Sequence, residues 1–139
     1  MRETPPISAP AMDAILRFLP LFESADFQSG RWVLKKPGGG GALTFPYYEY
    51  GRDVGEFLGA LNDNGWIIPF DWLAWQEEAA KYVDSPALLE TADAGTLRRL
   101  LTTHARMERF CDGHLADMLG RGHIAAVLGR LARLREDAL

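Results

Sequence analysis

The chain has 139 residues, of which 47% are apolar and 24% charged, with a formal net charge of −4. That length suits one folded unit with a sizeable core, and the negative charge argues against nucleic-acid binding driven by phosphate neutralisation. A single cysteine excludes an intramolecular disulfide and any CxxC metal or redox motif.

Charge is divided unevenly along the chain. Residues 1–97 carry seven basic and 14 acidic side chains, whereas residues 98–139 carry eight basic and five acidic, and every basic group in that last part is arginine. The start, Met1-Arg2-Glu3-Thr4-Pro5-Pro6, lacks an apolar signal core, and no apolar run approaches the roughly 18 residues of a membrane span. A cytoplasmic protein is expected, with no membrane partner and no cofactor.

In chain order, residues 1–7 read as a flexible polar lead-in. Ser8 as cap and Pro10 in the first turn open a helix whose buried stripe is Met12, Ile15, Leu16 and Leu19; Pro20 ends or kinks it. Arg31–Lys35 and Leu43–Phe45 predict a small antiparallel hairpin across a flexible, glycine-rich loop at 36–42. The glycines do not form a phosphate cradle, because no Gly-Lys-Ser/Thr follows and no helix starts there.

Phe45-Pro46-Tyr47-Tyr48-Glu49-Tyr50 is dense in aromatic residues. Val54, Phe57, Leu58 and Leu61 mark a further helix, ended by Gly65 as a left-handed cap. Gly55 and Gly59 within it suggest close approach by a neighbouring element. Trp66–Phe70 reads as a buried extended piece. Asp71 then caps a helix with Trp72, Trp75, Ala79 and Tyr82 on one face, and Ser85-Pro86 starts a short helix through Leu89. Asp93 or Thr96 opens a long helix, Gly120-Arg121-Gly122 breaks it, and Ile124, Val127, Leu128, Leu131 and Leu134 form the stripe of the last one.

Two of the three histidines, the cysteine, two arginines and two carboxylates crowd into residues 103–114. A continuous helix over 97–118, at about 100° per residue, places His104 and Cys111 on the apolar stripe with Leu97, Leu100, Leu101, Leu115 and Met118. Arg98, Thr102, Arg106 and Arg109 then form a solvent ridge. His104, Cys111 and His114 are the one combination with the donor types of a zinc site, but a structural site takes four protein ligands and a catalytic one usually three plus water. Metal binding is therefore not expected. A Cys111 nucleophile is disfavoured as well, because an apolar face raises a thiol pKa.

If the chain turns at Gly113, Arg106 and Arg109 can meet His114 or His123 in a small anion site, with Tyr47 or Trp72 as stacking surfaces and His104 or His114 as proton carrier. Otherwise the arginines pair with Glu108, Asp112 or Asp117 on a wet helix surface.

Asn64-Gly65-Trp66, Pro69-Phe70-Asp71-Trp72 with Trp75-Gln76, Leu100-Leu101-Thr102-Thr103 and Arg109-Phe110-Cys111-Asp112-Gly113-His114-Leu115 carry a resemblance. Together they resemble a family of small bacterial proteins classed only as a domain of unknown function. The likeness runs from the first helix to the last and implies a shared fold, with no activity, cofactor or catalytic residue to carry over.

The expected fold is a mainly α (α+β), compact single domain over residues 1–139, with five to six helices and one small β-hairpin. The expected function is a non-catalytic interaction module that meets an unknown protein partner through segment 45–50 and the arginine ridge. The alternative is an enzyme or binding protein for a small anionic, nucleotide-like ligand held by Arg106, Arg109, Tyr47 and Trp72.

Overall fold

The computed structural model describes residues 6–34 and 46–137. Among them are eight helical segments and one two-stranded sheet: α1 (Ala9–Leu16), α2 (Leu19–Glu23), β1 (Gly30–Val33), β2 (Tyr47–Tyr50), α3 (Arg52–Asp63), α4 (Gln76–Asp84), α5 (Pro86–Leu89), α6 (Ala94–Glu108), α7 (His114–Gly120) and α8 (His123–Asp137). The mainly helical class with one hairpin is as expected. The larger helix number comes from two breaks, at Pro20 and before Gly113.

Pro20 cannot donate to the carbonyl of Leu16, and its ring crowds that carbonyl, so α1 stops at Leu16. The helix restarts as α2 with Pro20 in its first turn, where no N–H is missed. Ser8 caps α1 by accepting from the Ala11 N–H at 3.2 Å, Ser85 caps α5 at Leu88, and Asp93 caps α6 at Thr96 with a 2.7 Å bond. The Thr96 N–H and hydroxyl hold the Asp93 carboxyl below its usual pKa.

The strands pair antiparallel, with Gly30 opposite Tyr50 and Val33 opposite Tyr47. The second strand thus lies in the aromatic segment. The expected strand at 43–45, the glycine-rich stretch 36–42 and residues 1–5 of the lead-in lie outside the described residues. Ile7, within that lead-in, packs against the core.

α8 lies at the centre of the packing, in contact with α1, α2, α5, α6 and α7. Its stripe Ile124, Val127, Leu128 and Leu131 is fully buried. Phe18, Phe22, Phe27 and Phe57 fill the space beside α1 and α3 with ring centroids 5.0–6.0 Å apart. Trp66 is fully buried, and its indole N–H donates to the Ala11 carbonyl at 2.8 Å, fastening the segment after α3 to α1. No helix among the described residues is long and apolar enough to cross a membrane.

Four local expectations change. Gly55 and Gly59 face open space, so they permit no close approach. α4 begins at Gln76, which leaves Trp72 in the preceding turn, against Phe110 rather than on a helix face with Tyr82. Arg98 and Thr102 are buried: Arg98 donates to the Gly65 carbonyl at 3.0 Å, and Thr102 bonds the Trp66 carbonyl and the Ile68 N–H. The segment after α3 therefore covers the face expected to be a solvent ridge. Finally, the long helix ends at Glu108.

Candidate functional site

The break between α6 and α7 organises the site. Gly113 adopts the left-handed conformation at φ +89, and a Cβ there would lie 2.7 Å from the Trp32 ring. No side chain of residue 113 caps α7, so Glu108 does so from the preceding helix. Its carboxylate accepts from the Gly113 N–H at 3.0 Å, from the Leu115 N–H at 2.8 Å and from the Tyr50 hydroxyl. The Tyr50 oxygen in turn accepts from the Ala116 N–H at 3.0 Å. Burial, and next the Glu108 carboxylate, raise the Tyr50 phenol pKa well above its usual value. Asp112 accepts from the Tyr48 N–H at 2.8 Å, which ties β2 to the same turn.

Turned back in this way, α7 carries His114 against His104 of α6, and α8 begins with His123 beside the same ring. His104 Nδ1 lies 3.0 Å from His114 Nε2, and His104 Nε2 lies 3.1 Å from His123 Nε2. All three histidines of the chain thus meet in one hydrogen-bonded row. His104 and His123 are buried and His114 is half-exposed.

Burial, followed by the two neighbouring imidazoles, holds the His104 pKa well below its usual value. Burial and then His114 bring His123 down to about 4. His114 is also lowered, mainly by burial, although Glu108 and Asp117 favour its charged form. All three shifts favour the uncharged rings.

His104 and His114 line a cavity of about 320 Å³ between α4, α6 and α7, within the usual range for small-molecule sites. Ala79, Ala80, Val83, Met107 and Met118 supply an apolar wall; Gln76, Thr103, Asp84, Asp117 and Arg121 supply polar groups. Gln76 donates to the Met107 sulfur at 3.0 Å, linking α4 to α6, and Arg121 pairs with Asp117 at 3.2 Å. The formal charges on the lining are two carboxylates against one guanidinium.

Of the residues singled out from sequence, His104 and His114 come together here. Arg106 and Arg109 do not line this cavity, nor do Tyr47 and Trp72. Arg109 is exposed on the turn, Arg106 is half-buried on α6, Tyr47 sits at the outer end of β2, and Trp72 packs against Phe110 with centroids 5.6 Å apart. Glu108, Asp112 and Asp117, the acidic partners considered for the arginines, bond instead to backbone N–H groups, Tyr50 and Arg121.

Cys111 is exposed, not part of the apolar stripe, because the helix has ended three residues before it. Among the described residues no three His, Cys, Asp or Glu side chains are placed to hold a metal ion.

From sequence, His123 and Asp117 enter only as neighbours of Arg106 and Arg109, and Arg121 only as part of a helix break. The signal for His123 was a repeated dipeptide, Gly113-His114 and Gly122-His123. Each glycine is left-handed, at φ +89 and +76, and each histidine opens a helix.

No curated protein and no solved structure matches the chain. Residues 7–137 match DUF6508, a family of unknown function, and the chain belongs to that family.

Proposed function

We propose that the protein binds a small, largely apolar molecule with a weakly basic nitrogen in the cavity between α4, α6 and α7, and that His114 exchanges a proton with it. The observation that carries this reading is the half-exposed His114 imidazole in the cavity wall, backed at 3.0 Å by a second, buried imidazole. A neutral imidazole accepts a proton on one nitrogen while its other nitrogen stays bonded. Asp84 and Asp117 outweigh Arg121 on the lining, which favours a basic ligand over the anionic, nucleotide-like one that Arg106 and Arg109 suggest from sequence.

A thermal-shift screen separates the two chemistries. Small nitrogen heterocycles and amines at millimolar concentration should raise Tm, as ligands that bind only the folded state do. The shift should vanish in Met107→Trp, which fills the cavity. No stabilisation by any of these compounds would sink the reading. Stabilisation by inorganic phosphate or nucleotides, abolished by Arg106→Ala with Arg109→Ala, would favour the anionic ligand instead.

A second reading, as a protein-interaction module, is supported by two large apolar side chains left in water: Phe110, which packs on Trp72, is 78% exposed, and Leu73, next to Trp72 in the chain, is 63% exposed. A partner captured by the native chain and lost with Leu73→Ser and Phe110→Ser together would support it; recovery unchanged by that pair counts against it.

A further inference from the structure

His104 uses both ring nitrogens, one toward His114 and one toward His123. A neutral imidazole has one N–H and one lone pair, so two such bonds in series admit only two proton arrangements. In the first, His114 Nε2–H donates to His104 Nδ1, His104 Nε2–H donates to His123 Nε2, and His123 keeps its own proton on Nδ1. In the second, His123 Nε2–H donates to His104 Nε2, His104 Nδ1–H donates to His114 Nε2, and His114 carries its proton on Nδ1. Each arrangement holds three N–H protons and no net charge.

The two outer Nδ1 atoms make no hydrogen bond to a described residue, yet among those residues no buried side-chain nitrogen lacks a partner. Both ends of the row therefore touch solvent. The two residues line adjoining spaces that share Val83 and Arg121 in their walls: His114 the 320 Å³ cavity, and His123 one of about 90 Å³ between α4, α5 and the start of α8.

We infer that His114, His104 and His123 form a proton relay joining a molecule held in the larger cavity to water at the smaller one. The inference rests on the reading of the larger cavity as a ligand site for the source of the proton. A protonated nitrogen base, drawn by Asp84 and Asp117, gives its N–H proton to His114 Nδ1, and the bonding pair stays with the ligand. The His114 Nε2 proton passes to His104 Nδ1, and the His104 Nε2 proton passes to His123 Nε2. The His123 Nδ1 proton leaves to water. The ligand loses one positive charge, water gains one, and the row ends in its second arrangement. Release of the proton to water at the other end of the row avoids leaving a charged imidazole in the interior, where burial makes it costly.

Ring-nitrogen spectra of the full chain labelled with ¹⁵N-histidine test the relay without any ligand, so a failed ligand screen and a failed relay are separate results. At neutral pH all three rings should be neutral. The fraction of His114 protonated on Nε2 should equal the fraction of His123 protonated on Nδ1, and His104 should give one population-averaged pair of signals. Unmatched fractions, a charged ring, or a row locked in a single arrangement would overturn the relay. In His123→Met the sulfur can accept but not donate, so His104 must donate from Nε2 and His114 should shift wholly to the Nε2–H form. An Nδ1–H form of His114 in that folded variant would also overturn it, and if the variant does not fold, the native spectrum decides.

Discussion

Gly113 sits under the Trp32 ring in a conformation that costs residues with a Cβ roughly 1–2 kcal/mol. Gly113→Ala should therefore lower stability by at least about 1–2 kcal/mol, read as a lower urea midpoint at unchanged slope. The histidines set a pH dependence of stability. Their folded pKa values lie below the ordinary 6.5, with His123 at about 4, so between those values the unfolded chain binds more protons. Stability from this source is complete above pH 6.5 and declines as pH falls toward the folded values. Urea midpoints taken from pH 7 to 5, above most carboxylate titrations, should fall, and should fall less in His123→Met. A flat native profile contradicts this.

The hairpin is held to the body by few contacts: Trp32 on Gly113, the Tyr48 N–H on Asp112, and Tyr50 on Glu108 and Ala116. Two strands alone are marginal in water, so this docking is what keeps them ordered. Asp112→Ala should speed amide exchange in 30–33 and 47–50 by about tenfold, the equivalent of one hydrogen bond, while α8 amides stay protected. Equal loss of protection throughout would show that the hairpin is not a separable unit. The same turn shows where periodicity misleads. Residues 97–118 keep a helical apolar pattern across the break because Leu115 and Met118 of α7 face the same core as Leu97, Leu100 and Leu101 of α6. Cys111, which lies in the turn, keeps the phase but not the burial.

For the molecule as a whole, α8 is the element on which α1, α2, α5, α6 and α7 converge, and Leu128 is fully buried there. Leu128→Ala should cost about 2–5 kcal/mol, through lost transfer energy and a residual cavity. It should weaken every region together, unlike Asp112→Ala, when exchange is followed residue by residue. Much of the architecture was legible in the chain. The caps Ser8, Ser85 and Asp93 and the stripe of α8 are local matters, decided by side chains three or four residues from the groups they serve. The expectation of a family of unknown function spanning most of the chain agrees with the match over residues 7–137. The crowding at 103–114 falls where α6 gives way to α7, and the condition attached to it, a turn at Gly113, is met. What the chain alone left undecided was which polar groups share that turn. His104, His114 and His123 start on three helices, and whether their nitrogens come within 3.0–3.1 Å depends on how α6, α7 and α8 cross. Those crossings are set by packing and by the Glu108 and Tyr50 clasp, at separations where no residue pattern reports contact.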